Sequence, residues 1–271
     1  VVDTVTTPGA IYSDLTNYRE YGYKISAVDT VGNESDLTGE ISAIPYATRN
    51  EFSLNFDGSD DYVSVPYISQ LNSFSDALSV SVYFKVTGKE GTHRNIITNG
   101  NIAGFTLTVS TLNKLRPHIQ HQLNWLNFDG NTTIELDTWY HAAFVYDSET
   151  FKLYLNGDED GSSSDLSGDI VNYDGDLLIG KYHNNDDQYF PGSIDEVTVW
   201  SRALTQEEIQ DRMYRALHPA EEDSLVGYWR MDKGSGTTAI DLSGSGNHGT
   251  ISGASFSDEV MLFVPRATLS T

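Results

Sequence analysis

The chain has 271 residues, enough for one large or two modest domains with a substantial core, and 38% of them are hydrophobic, too many for a disordered chain and too few for a membrane protein. Sixteen Lys and Arg stand against 39 Asp and Glu, a formal charge of −23. This excludes a nucleic-acid backbone as partner and leaves a solubilising acidic surface, or clustered oxygen ligands for a cation such as calcium. The absence of cysteine excludes disulfides, thiolate zinc sites, iron–sulfur clusters and cysteine nucleophiles.

In chain order, nearly every periodic segment alternates with period two. The first is Tyr23 to Val28, followed by Leu54 to Phe56, Tyr62 to Val65, Leu78 to Phe84 and Phe105 to Val109. Then come His141 to Tyr146, Phe151 to Leu155, Leu177 to Gly180 and Ile194 to Trp200. These runs are rich in β-branched and aromatic residues, and Gly, Asn, Asp and Ser separate them, the pattern of half-buried antiparallel strands. Asn156-Gly157 directly after a strand predicts a tight hairpin, since both central residues of a type I′ turn need positive φ. Thr205-Gln206-Glu207-Glu208 has capping-box spacing, and Ile209, Met213 and Leu217 follow at i, i+4 and i+8. A short amphipathic helix ending before Pro219 is expected there, packed on the sheets. No run of about 18 apolar residues is present, so membrane insertion is not expected. The opening Val1-Val2-Asp3-Thr4 has no basic-then-apolar pattern, so a secretory signal is absent or already removed.

Three parts follow: residues 1–47, residues 51–218, and a Gly- and Ser-rich tail at 222–271 with strand-like pieces Leu225 to Trp229 and Val260 to Val264. The first part, with Leu15 and Tyr21 six apart before a strand and the turn Asp29 to Ser35, resembles the last strands of a fibronectin type III domain, Tyr21 standing at the tyrosine-corner position. The second carries Phe56-Asp57-Gly58-Ser59-Asp60-Asp61-Tyr62-Val63, Thr138-Trp139-Tyr140-His141, Leu153-Tyr154-Leu155-Asn156-Gly157 and Gly192-Ser193-Ile194-Asp195-Glu196-Val197. These motifs, in this order, resemble the laminin-G-like, concanavalin A-like jelly roll. The expected fold is therefore an all-β antiparallel jelly-roll sandwich with one short helix, preceded by a partial fibronectin-like sandwich. The tail either closes the same sandwich or begins another repeat.

Asp57, Asp60 and Asp61 lie within five residues around Gly58 and repel one another unless a cation or protons intervene. The resemblance implies a structural Ca2+ where this bend meets the strand carrying Asp195, with Asp57 and Asp195 as side-chain ligands, Gly58 and neighbouring carbonyls completing the shell, and Asp60 and Asp61 close by. Asx turns bonding their own backbone are the alternative. For glycan binding, flat aromatics beside amides and carboxylates are needed. The stretch His118 to Trp125 offers this mix; as one extended strand it places His121, Leu123 and Trp125 on one face and Gln120, Gln122 and Asn124 on the other. Tyr182, Asn184, Asp186, Asp187 and Tyr189 are rim candidates. His118 and His121, three apart on a strand, diverge and do not make a zinc site. Gly234-Ser235-Gly236 lacks the lysine of a phosphate loop. No Glu-x-Asp-x-x-Glu strand or Gly-x-Ser-x-Gly elbow occurs, and Asp195 and Glu196 are expected on opposite faces, so no catalytic site is expected.

The expected role is a non-catalytic, calcium-stabilised extracellular module, secreted or on a cell surface, binding a glycan or a cell-surface protein. The alternative is a subunit of an extracellular fibre, self-assembling through unpaired strands of the incomplete fibronectin-like half. A glycoside hydrolase is the least favoured reading.

Overall fold

Alternation becomes antiparallel pairing throughout a computed structural model that describes residues 19, 21–43, 50–67, 71, 73–100, 103–121, 124–164, 168–183 and 188–261. The chain divides into two units, Val1–Ala47 and Thr48–Thr271.

In the first unit, β1 (Tyr21–Tyr23) pairs with β2 (Ile41–Ala43). Beyond Tyr23 the expected strand loosens, because side chains take over ladder bonds: Ile25 N donates to Thr38 Oγ1 and Ala27 N to Ser35 Oγ. Asp29 Oδ1 accepts from Val31 N and Asn33 N, both at 2.9 Å, and shapes the turn. Ile25, Val28, Val31 and Leu37 are all more than half exposed, so among the described residues of this unit few apolar side chains are buried. Leu15 lies outside the described residues.

The second unit is a sandwich of two eight-stranded sheets. The first contains β3 (Ser53–Asp57), β5 (Leu78–Val86), β10 (Trp139–Tyr146), β11 (Phe151–Leu155), β12 (Asp158–Ser163), β14 (Pro191–Trp200), β15 (Leu225–Trp229) and β18 (Ser255–Ser257). Its order is β12-β11-β10-β5-β14-β3-β18, with β15 also paired to β14. The second contains β4 (Tyr62–Val65), β6 (Arg94–Asn99), β7 (Phe105–Val109), β8 (Leu115–His121), β9 (Asn124–Asn127), β13 (Leu177–Ile179), β16 (Thr238–Ala239) and β17 (Gly249–Ser252), in the order β16-β17-β4-β13-β6-β7-β8-β9. Alternate residues of both sheets fill the space between them. Val80, Val82 and Phe84 of β5 meet Phe105 and Leu107 of β7 in one core, in which Phe105 and Phe144 approach to 5.8 Å between centroids. The hairpin after β11 turns through Asn156 (φ 51°) and Gly157 (φ 84°), as its sequence predicts.

The tail supplies strands to both sheets: β17 pairs with β4, and β18 with β3. Gly253 turns the chain between them at φ +77°, and a Cβ there would meet Asp61 Oδ1 at 1.9 Å. Of the expected strand at Val260 to Val264, residues 262–264 lie outside the described residues, and 260–261 are not in a strand.

The helix α1 (Gln206–Arg212) starts at the expected capping box: Thr205 Oγ1 accepts from Glu208 N, and the Glu208 carboxylate accepts from Thr205 N. It ends earlier than the stripe predicts. Ile209 lies in the helix and Met213 caps it, whereas Leu217 is buried from the segment beyond.

Candidate ligand-binding face

The bend after β3 holds the three clustered carboxylates. One oxygen from each of Asp57, Asp60 and Asp61 lies within 4.8 Å of the others. Asp57 Oδ1 accepts from Ser59 N at 2.7 Å, and Asp61 Oδ2 from Asp57 N at 2.8 Å. Burial, and then the charges of Asp57 and Asp60, push the Asp61 carboxyl up, while the bond from Asp57 N pulls it down. Oxygens not used in these turn bonds are hard donors that suit a divalent ion. Of the other expected ligands, one is engaged within the chain and one is distant. The Gly58 carbonyl accepts from Lys89 Nζ. Asp195 is separated by register: Asp57 pairs with Pro191, and Asp195 lies four residues further along β14, roughly 13 Å at strand rise. One ion does not span that distance.

Asp195 instead belongs to a buried network on the outer side of the first sheet. β14 carries a bulge against β5 between Asp195 and Thr198, and Glu196 takes φ +49°. The expected divergence of Asp195 and Glu196 is thereby undone: after burial, the charges of both help push the Tyr83 hydroxyl up. Asn50 Nδ2 donates to Asp195 Oδ2 at 2.7 Å. Glu196 accepts from Tyr228 Oη at 2.5 Å and from Arg230 Nε at 2.9 Å. Desolvation, then the charge of Glu196, raises the Asp195 carboxyl well above its usual range. The segment from α1 to Leu217 covers this face: Met213 O accepts from Tyr83 Oη, and a cavity under it is lined by Tyr83, His141, Glu196 and Met213. His141, wholly buried, is lowered by desolvation to about 4.

The outer face of the second sheet is built differently. Thr106 and Thr108 alternate with the core residues Phe105, Leu107 and Val109 and so point away from the core. Register extends this into a cross-strand row, Ser64–Leu178–Thr98–Thr106–His118–Asn127, spanning six strands. Thr98 and Thr106 share a hydrogen bond of 2.8 Å. Asn95, Thr108 and Arg116 form the next row, and Gln120 pairs with Trp125.

The stretch His118 to Trp125 is thus a hairpin of β8 and β9 and not one strand. That places Trp125 on the face of Gln120 and His118, contrary to the expected grouping with His121. The His118 and Trp125 rings meet edge-to-face at 6.2 Å. The backbones of His121 and Asn124 pair at the hairpin end. Arg116 clamps Asp129, with Nε donating to Oδ1 at 2.9 Å and Nη2 to Oδ2.

Other segments border this face. Asp176 accepts from Ser64 Oγ at 2.8 Å, and Gln188 Oε1 accepts from Asn95 Nδ2 at 2.9 Å. Tyr182 and His183 are half-buried nearby in sequence, and His183 meets Tyr173 at 5.0 Å. Tyr189 is buried, its ring under the Lys181 ammonium, which also lies over Tyr62. Asn184, Asp186 and Asp187 lie outside the described residues. Sequence reasoning did not single out Arg116 or the threonine rows; the alternation of Thr with Phe, Leu and Val in β7 was the available signal.

A family model for the concanavalin A-like lectin/glucanases superfamily matches residues 57–210. The chain belongs to this superfamily. Its match begins at the aspartate-rich bend and ends within α1, so in this member of the superfamily the strands β15 to β18 lie outside the matched segment. Among solved structures the chain is similar in fold to a "putative carbohydrate binding protein" from Bacteroides ovatus ATCC 8483, 20% identical, covering 90% of this chain and 70% of that one with a TM-score of 0.63. A heptameric SAP-like pentraxin from Limulus polyphemus is 18% identical, covering 59% of this chain and 81% of the pentraxin with a TM-score of 0.48. Over 76 residues the chain is 38% identical to the human (Homo sapiens) adhesion G-protein coupled receptor D1, a match spanning 26% of this chain and 8% of the receptor. Among the described residues no helix is long and apolar enough to cross a membrane.

Proposed function

We propose that the second unit is a non-catalytic glycan-binding module whose ligand lies on the outer face of the second sheet, at His118, Trp125 and Arg116. The observation that carries this is the margin of the sheet, where His118, the exposed Asn127 and a partly exposed tryptophan lie beside the buried threonine row. Hydroxyls, amides and imidazole are hydrogen-bonding partners for sugar hydroxyls, and an indole edge or face packs on a sugar ring. The description of the Bacteroides ovatus protein supports the same reading. Both oxygens of Glu196 are engaged by Tyr228 and Arg230, which supports a structural and not a catalytic use of the carboxylates on β14.

Calcium is the second element of the proposal. Asp57, Asp60 and Asp61 would hold the ion, supplying negative oxygen donors and tying the bend to the β17–β18 turn at Gly253. Binding only to the folded state raises stability by about 2.7 kcal/mol at a hundredfold excess over Kd. A calcium titration followed by thermal melting tests this, and an unchanged midpoint at millimolar calcium removes the ion from the proposal.

The setting we propose is extracellular, with the module serving adhesion and the first unit being part of a fibronectin type III domain. A glycan array with and without chelator tests the binding role; silence across neutral and acidic polysaccharides refutes it. The exposed Ile25, Val28, Val31 and Leu37 favour a second reading, in which strands from another subunit complete the first unit in a fibre. Light scattering of the full chain decides it: a monomer at every concentration eliminates self-assembly.

A further inference from the structure

Resting on the glycan-binding reading of this face, we infer that its ligand is an acidic glycan, whose anionic group docks between His118 and Arg116 while the sugar ring packs on Trp125. The chain has 16 Lys and Arg against 39 acidic residues, yet cations gather at this end of the second sheet. Arg116 and His118 alternate on one face of β8, and Lys114 immediately precedes that strand. His93 and Arg94 stand at the start of β6. Arg94 is 1% exposed and is held by the carbonyls of Gly88 and Ser110 and by Asn113 Oδ1, with no partner at Nε among the described residues. It is a buried cation held by neutral oxygens. Asp129 is clamped by Arg116, and Glu90 faces Asn113.

His118 Nε2 is a buried atom with no partner among the described residues, although its ring edge lies beside Trp125 on a polar face. A buried polar nitrogen left without a partner is unfavourable. An anion supplies what is missing: an acceptor for that nitrogen once protonated, and a negative charge for the surrounding cations. The groups facing His118 are Arg116, His93 and Asp129; those facing His93 are Arg116, Asp129 and Arg94. Burial first, then Arg116 and His93, holds His118 at about 4, so at neutral pH it is uncharged without ligand. A bound anion reverses part of this effect, and binding takes up a proton. A neutral sugar hydroxyl can also bond this nitrogen, but it brings no charge to the surrounding cations.

The test is calorimetry with an oligogalacturonide, its carboxyl-reduced neutral counterpart and a sulfated oligosaccharide, at pH 5.5 and pH 8. The expected result is binding of an anionic sugar at least about tenfold tighter than the neutral one, tightening on acidification by up to about tenfold per pH unit for one proton taken up, and weakening with added salt. Preference for the oligogalacturonide assigns the anion as carboxylate; preference for the sulfated sugar assigns it as sulfate ester. His118→Gln, checked for folding by thermal melting, is expected to flatten the pH dependence, and Arg116→Gln to remove the anionic preference. Should His118→Gln fail to fold, the proton uptake of the unmodified chain, read from buffers of different ionisation enthalpy, still decides the matter. Equal binding of neutral and acidic sugars overturns this inference and leaves the glycan-binding reading standing. Binding of no sugar, on this panel or on the array, overturns the reading beneath it.

Discussion

The two outer faces of the sandwich share a core and differ in what lies on them. The first sheet's outer face carries charge, and the chain buries it: Asp195, Glu196, Arg230 and Asp232 are each less than 9% exposed, paired among themselves and with Asn50 and Tyr228. The second sheet's outer face carries threonines and amides that are also buried, and only at its margin do His118, Arg116 and Trp125 reach partial exposure. The first face is covered by the segment from α1 to Leu217 and, although Asn50 Oδ1 and His141 Nδ1 have no partner among the described residues, it presents little surface to a ligand. The second leaves imidazole nitrogen and indole surface at its margin. Burial alone therefore does not mark the site; the more strongly perturbed carboxylates lie on the other side.

Four experiments sharpen or break this contrast. Arg230→Leu removes one member of a buried ion pair and strands Glu196, which costs about 3–5 kcal/mol of stability; urea unfolding should show it, and a loss under 1 kcal/mol would mean the network is not closed as described. Trp125→Ala should lower glycan affinity by about 2 kcal/mol, roughly thirtyfold, as expected of an aromatic anchor. Its melting temperature should barely move, because the side chain is already partly in water.

The third concerns pH. His141 sits at about 4 in the folded chain and near 6.5 when unfolded. The unfolded state thus binds more protons between these values, so this contribution to stability is complete at pH 7 and is lost as the pH falls toward 4, by about 1.4 kcal/mol per unit. Asp195, raised by burial, acts with the opposite sign, its contribution lost as the pH rises above 3.8 toward its folded value. The quantity to measure is therefore the difference between the unmodified chain and His141→Gln, whose stability should fall less steeply between pH 6.5 and 5. The smallest effect belongs to Thr205→Ala, which removes the α1 cap for about 1 kcal/mol and should leave glycan affinity unchanged; altered affinity would couple the two faces.

Local chemistry was legible in the sequence. Alternating β-branched residues gave strands, Asn156-Gly157 a hairpin and Thr205 with Glu208 a capping box, because each depends on neighbours a few positions away. The candidate site was less so. The sequence between β8 and β9 has neither Gly nor Pro, so His118 to Trp125 reads as one strand and Trp125 is assigned to the wrong face. The bulge at Glu196 leaves no mark in composition, since glutamate is an unusual residue at φ +49°. The separation of Asp57 from Asp195 depends on the register of β3 against β14, residues well over a hundred positions apart, which no local pattern fixes.

The arch through Gly253 has a mechanical consequence. With β17 seated in one sheet and β18 in the other, this short segment links the two sheets covalently, so sliding one sheet over the other would strain both of its ladders.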